Sequence, residues 1–389
     1  MSENRTFLGY RRPAGRAGIR NHLLVLGING LVAPAARRIA ALLPGAKLVT
    51  TPYGRGQLGP DKDIHTAQLV GLGANPNVGA VVVVGADRPA AEAIAHGIAE
   101  RIAKPIDVWT LDDTGEDALD LVSRAVRSGG RLTRDLSRLR REPVPLSELF
   151  VGIECGHSDA TSGIAGNPLA GRIADRLVYA GGTVVVGETL EWLGAEHVLA
   201  RRAGTEAVAD AIRAAVKRRE ADVAALGIDL IGNNPGEENI RGGLSSIEEK
   251  SLGAIAKAGS RPIRALLAHA EPPAAPGLYV MDGNGFSPES MTGFAAAGAQ
   301  AMLFVTGPGN SFCNLIAPTV KISANPRAAA RLSEQIDHDA SALFGGAGEF
   351  ENHADRLLET LIDVASGTLS WGEIFAEGEE AFARTGGSH

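Results

Sequence analysis

The chain has 389 residues and carries 38 Lys and Arg against 45 Asp and Glu, a formal net charge of −7. That length is enough for two or three separate cores, and the acidic balance, with no long basic run, excludes a polyanion-binding face, so nucleic acid is not an expected partner. The longest apolar runs, such as Val78–Ala86, fall far short of the roughly 20 residues that cross a bilayer, and the opening MSENRTFLGYRRP has no apolar signal region; no membrane association is expected, and the expected compartment is the cytoplasm.

Aromatic residues are 4% of the chain, while glycine numbers 49. Cores must therefore be built from Val, Ile, Leu and Ala. The two cysteines, Cys155 and Cys313, have no metal-type spacing and read as reduced thiols.

In chain order, HLLVLG (22–27) predicts a buried strand and 34–43 a helix. A second strand follows at 46–51 with a helix at 61–72, a third at 80–85 with a helix at 88–102, and a fourth at 106–111 with a helix at 117–127. Continuous β-branched runs alternating with amphipathic stretches imply a parallel sheet covered on both faces. Residues 137–149, with clustered charge and two prolines, read as a linker. The alternation then resumes: a strand at 149–154, a helix at 168–179, a strand at 183–187, a helix at 189–201, and a long helix at 206–224. A Gly/Asn-rich loop spans 232–243. Further buried strands are expected at 277–282, 301–307 and 318–323, and the tail from 352 reads as helical. The expected fold class is α/β, with two consecutive doubly wound, mainly parallel-sheet domains carrying helices on both faces, over 1–140 and 147–389.

Polar residues collect behind the strands, where open parallel sheets bind ligands. The loop ECGHSDATSGIAGNP (154–168) holds His157, Ser158, Asp159, Ser162 and Asn167 among three glycines, and suits either an anion at a helix start or an elaborate cap and turn. Glu188 and Glu191 stand at i, i+3 after the strand at 183–187, on one face of a first helical turn. Two acids there suit a divalent cation or a general base, or simply complement a helix dipole. In 233–253, Ser245, Ser246, Glu248 and Glu249 mark a capped helix start from which Lys250 projects, as an acid-binding or proton-abstracting group or as a solvated neighbour of Glu249. TGPGNSF (306–312) brings Asn310 and Ser311 into a candidate anion nest. Arg16, Arg20 and Asn21 precede the first strand, where two guanidiniums would clamp a carboxylate or merely be solvated. No GxGxxG, GxxxxGK[ST] or GxSxG motif is present, which argues against NAD, ATP and serine-hydrolase chemistry.

Taken together, GYRRPAGRAGIRNH (9–22), ECGHSDATSGIAGNP (154–168), GETLEWLGAEHVLARRA (187–203), GGLSSIEEKSLGAIAKAG (242–259) and TGPGNSFCNLIAPTVKISANP (306–326) resemble the altronate/galactarate dehydratase family, in order along nearly the whole chain. The resemblance implies a lyase dependent on a divalent metal, iron(II) first among them, that acts on hydroxylated carboxylic acids by β-elimination to a 2-oxo acid. It places Glu188 and Glu191 at the metal or as the base. Lys250 and His157 join the catalytic set, with Arg16, Arg20, Asn21, Ser158, Asp159, Ser162, Asn167, Asn310 and Ser311 around the substrate. TPYGRGQLG (51–59) stands where sugar-acid members carry a cysteine-containing HKTGCG-like stretch, and the extra small N-terminal domain of those members is lacking. Both departures point within the family to members that expel sulfite and whose small domain is a separate alpha subunit, so a homo- or hetero-oligomer is expected. The competing expectations are loss of water from a sugar acid, and a non-catalytic acid-binding subunit.

Overall fold

The computed structural model describes residues 5–54, 56–225, 227 and 234–384; positions 232 and 233 of the Gly/Asn-rich loop lie outside them. The smaller sheet is formed by β1 (His22–Gly27), β2 (Lys47–Thr50), β3 (Val78–Gly85) and β4 (Ile106–Thr110), in the order β2-β1-β3-β4 and entirely parallel. Its central strands, LLVLG and VGAVVVVG, are buried on both faces, as uninterrupted apolar runs require. Helices α1 (Ala33–Ala41) and α4 (Ala118–Leu136) pack together, and α2 (Gly59–Ala74) packs with α3 (Arg88–Arg101). Asp87 and Asp117 cap α3 and α4 by accepting backbone N–H bonds. α4 runs nine residues past its expected end, through Gly129, where a side chain would meet Leu43.

The larger sheet contains β5 (Phe150–Cys155), β6 (Thr183–Val186), β7 (Ile263–Leu267), β8 (Gly277–Met281), β9 (Ala301–Val305), β10 (Thr319–Ser323) and β11 (His338–Asp339). All seven are parallel, in the order β11-β10-β9-β5-β6-β8-β7. One face is covered by α5 (Asn167–Tyr179) and α9 (Phe350–Ser366), whose Leu169, Ile173, Leu357 and Leu361 are buried against Val151, Ile153 and Leu303. The other face packs through α8 (Ser287–Ala296) onto α2, so Phe294 and Met302 share one core with Leu24, Leu69 and Val81. The α/β expectation holds in both sheets.

Three local expectations change. The stretch 137–149 contains an extended segment, Glu142–Pro145, paired antiparallel with Thr6–Gly9, and Phe7 and Val144 are buried in the core of the larger sheet. The helix expected over 189–201 is broken into a 3-10 turn (Thr189–Trp192) and a short helix, α6 (Glu196–Ala200). Gly194 between them has φ +82, and a Cβ there would meet Glu248 Cγ at 2.6 Å, so the chain turns where only glycine fits. Finally, β7 and α8 were not expected. The residues of β7, IRALL, expose Arg264 at the sheet edge, and α8 is buried nearly all round and so lacks an amphipathic period.

Candidate active site

The carboxyl ends of β5, β6, β8 and β9 meet at one edge of the larger sheet. The strand order reverses at β5, where the chain proceeds to β6 on one side and later returns to β9 on the other, and open α/β sheets place their ligand crevice at such a point. A cavity of about 660 Å³ opens there, lined by His157, Ser158, Glu188, Glu191, Lys250, Asn310 and Ser311, with Glu238, Glu377 and Glu379 among its other walls.

Beneath it, Glu154 and Cys155 at the end of β5 and Glu188 and Glu191 after β6 converge. One ligand-type atom from each lies within 4.8 Å of all the others, and all four residues are buried. Glu188 has a left-handed backbone, φ 64, an uncommon and costly conformation for a non-glycine residue that ends the strand and starts the 3-10 turn bearing Glu191. Two ammonium groups enter from α7 (Ile247–Ile255) and the 3-10 turn after it. Lys257 Nζ stands 2.5 Å from Glu154, 3.4 Å from Glu191 and 3.8 Å from Glu188, and donates to Cys155 Sγ at 3.2 Å. Lys250 Nζ is 3.1 Å from Glu191 Oε1 and donates to Asn234 Oδ1 at 2.6 Å. The expected cap of that helix is present, with Ser246 Oγ accepting from Glu249 N.

The electrostatics follow from burial and these pairings. Burial and the carboxylates of Glu154 and Glu191 push Glu188 well above the usual carboxylate range. Burial opposes charge on Glu191 as well, but Lys250 and Lys257 outweigh it and bring its pKa down to about 2. Burial also raises the Cys155 thiol. Lys257 is held well above its ordinary value, the surrounding acidic groups overcoming its desolvation.

These residues suit a divalent cation. With all three carboxylates ionised, the two ammoniums would leave one unbalanced buried negative charge, a cost in a low-dielectric interior that holds Glu188 toward its protonated form. The Oε2 atoms of Glu154 and Glu188 are buried with no hydrogen-bond partner. A divalent ion with Cys155 as thiolate would neutralise the set, and mixed thiolate and carboxylate donors favour a transition metal over magnesium or calcium.

His157 at the cavity mouth also has a left-handed backbone, φ 58. Its Nδ1 lies 2.8 Å from the Gly309 carbonyl. A carbonyl only accepts, so Nδ1 carries the hydrogen, and in the neutral ring Nε2 keeps a lone pair. This contact ties the β5 loop to the β9 loop. Ser158 Oγ is buried without a partner, and its backbone carbonyl accepts from Asn239. Asn310 Oδ1 accepts from Phe312 N, and the exposed Ser311 gives its carbonyl to Lys321 Nζ.

Other residues singled out in the sequence serve the fold instead. Asp159 is consumed as a turn cap, accepting from Thr161 N, Thr161 Oγ1, Ser162 N and Asn325 Nδ2; Ser162 belongs to the same turn. Asn167 donates to the Gly253 carbonyl. Arg20 makes a two-pronged ion pair with Glu373 and donates to the Ile19, Val364 and Thr368 carbonyls. Arg16 binds the Glu148 carbonyl and Thr183 Oγ1 at the opposite, amino-terminal edge of the sheet. Asn21 bridges Arg12 and the Leu136 carbonyl. None of these six lines the cavity. Conversely, sequence reasoning passed over Glu154, Cys155 and Lys257. The available signal was the acid–thiol pair ending a strand directly before the polar loop; Lys257, in an Ala/Gly-rich run, gave none.

Residues 146–387 match the family model described as D-galactarate/altronate dehydratase, C-terminal, and residues 9–137 that described as D-galactarate dehydratase/altronate hydrolase, second domain. The chain belongs to the D-galactarate/altronate dehydratase family. Among named relatives, it is 38% identical over 384 residues to the (2R)-sulfolactate sulfo-lyase subunit beta of Chromohalobacter salexigens, covering 98% of both chains. It is 32% identical to the altronate dehydratase of Bacillus subtilis, covering 95% of this chain and 75% of that one. Against the galactarate dehydratase (L-threo-forming) of Escherichia coli it is 30% identical, over 79% of this chain and 59% of that enzyme. No helix among the described residues is long and apolar enough to cross a membrane.

Proposed function

We propose that this chain is the catalytic subunit of a cytoplasmic, metal-dependent lyase that converts a 2-hydroxy carboxylic acid to a 2-oxo acid by β-elimination, with (2R)-sulfolactate as substrate and sulfite as leaving group. The observation that carries the reading is the convergence of Glu154, Cys155, Glu188 and Glu191 beneath a cavity whose mouth holds His157. The likeness to a sulfo-lyase subunit beta over 98% of both chains supports the substrate. That relative's name, subunit beta, also supports a separate small partner subunit.

The chemistry assigns roles to the residues. The substrate's carboxylate meets Lys250, the ammonium on the cavity wall, with Asn310 beside it. Glu238, Glu377 and Glu379 in the same walls repel an anion, so cationic help is needed at the acid cluster. Bound there, iron(II) supplies stabilisation of the negative charge that develops on the substrate carboxylate. His157 Nε2 takes the C2 proton, its tautomer set by Gly309. The C3–S bond then breaks with its electron pair leaving on sulfite, and the resulting enol tautomerises to pyruvate.

The test mixes the chain with ferrous iron and a candidate small subunit, then measures sulfite and 2-oxo acid from sulfolactate, altronate and galactarate. Equimolar sulfite and pyruvate from sulfolactate is the expected result, with His157→Gln lowering kcat at least about a hundredfold. Turnover of the sugar acids alone would replace the sulfite reading with dehydration.

A further inference from the structure

The smaller sheet has its own switch point. From β1 the chain goes outward to β2 and returns past β1 to β3, so the loops after β1 and β3 flank a crevice at the carboxyl edge. A cleft of about 470 Å³ lies there, between the first turns of α2 and α3, and shares no lining residue with the acidic cavity.

One wall is apolar, made by Ile28, Leu69 and Ile94. The other presents hydrogen-bonding groups without partners. Gln57, 4% exposed, has its Nε2 buried and unpartnered, and His65, 8% exposed, has its Nε2 in the same condition. A buried polar group left without a partner costs about 1–3 kcal/mol, and two such groups facing one cleft, an amide donor and an imidazole nitrogen, mark a place where a ligand completes the bonding. Lys62 stands at the rim, exposed and with no ion pair to any described residue. The sixteen-residue helix α2 begins beside it, its N-cap, Leu58, offering no side-chain acceptor and Asp61 standing in its first turn.

We infer that this cleft is a second ligand site, specific for a small carboxylic acid with an apolar body. An amide N–H and an ammonium select an anionic head, while the Asp87 carboxylate in the same lining is engaged as the cap of α3, accepting from Ala90 N. The aliphatic wall selects against a bare inorganic anion, which would leave that wall uncovered. The C-terminal segment braces His65: Phe382 packs on it with ring centroids 5.6 Å apart, and Gln68 of the same helix exchanges hydrogen bonds with the Ala383 backbone. The assignment does not depend on the chemistry proposed for the acidic cavity.

A fluorine NMR titration of the full chain with 4-fluorobenzoate tests it. Saturable binding is expected in the wild type, weakened about tenfold in Lys62→Glu and in Gln57→Leu, and unchanged in Glu191→Gln. Lys62 is exposed, so its replacement leaves the fold intact even if the Gln57 variant does not fold. Absence of saturable binding, affinity indifferent to Lys62→Glu, or affinity lost in Glu191→Gln would each overturn the assignment.

Discussion

Lys257 Nζ lies 2.5 Å from Glu154 Oε1, and both side chains are sealed from solvent at the carboxyl edge of the larger sheet. Each is the other's closest charge. Removing one member of a buried pair strands the other in a medium that solvates it poorly.

Lys257→Met is therefore expected to cost about 3–5 kcal/mol. Urea unfolding of the metal-free protein measures it. Divalent metal should recover part of the loss in the variant, because a bound cation takes over the neutralisation that the ammonium provided.

Buried histidines set the acid limit of the fold. Burial holds His65 and His338 down to about 4, His353 and Arg356 adding to the effect on His338. Their folded pKa values lie below the ordinary 6.5, so the unfolded chain binds more protons between those limits. The stability they contribute is complete above about pH 6.5 and is lost as pH falls toward 4. Unfolding free energy measured from pH 7 to 5 should fall, and His338→Gln should flatten the slope.

The two sheets are locked together where α2 crosses α8. A Cβ on Gly71 would stand 2.1 Å from the Ala296 carbonyl oxygen. Gly71→Ala must push the helices apart and is expected to destabilise by about 1–3 kcal/mol. Thermal unfolding would register the loss as a lower Tm.

Much of this architecture is written in the sequence because its strands are buried on both faces. LLVLG, VVVVG and TVVV leave no other reading, and the turns behind them had to carry the polar residues. What escaped was structure whose signal depends on neighbours: β7 because Arg264 breaks its apolar run, and α8 because a helix buried all round has no period to read. The site divides in the same way. Glu188 and Glu191 were legible from their spacing after a strand, as were His157 and Lys250. Lys257 was not, since a lysine in a helical run is ordinarily solvated and only the fold turns it inward. Asp159, Ser162 and Asn167 stood in the right loop, yet their hydrogen bonds close that loop or tie it to Gly253 and Asn325 rather than face the cavity.

The central claim is that Glu154, Cys155, Glu188 and Glu191 hold one cation between them. Anaerobic titration with cobalt(II), followed by its thiolate charge-transfer absorption, measures this directly. Saturation at one equivalent, with the band abolished in Cys155→Ser and affinity weakened about ten- to a hundredfold or more in Glu191→Gln, is the predicted result. A band that survives Cys155→Ser, or cobalt that does not bind at all, would contradict it.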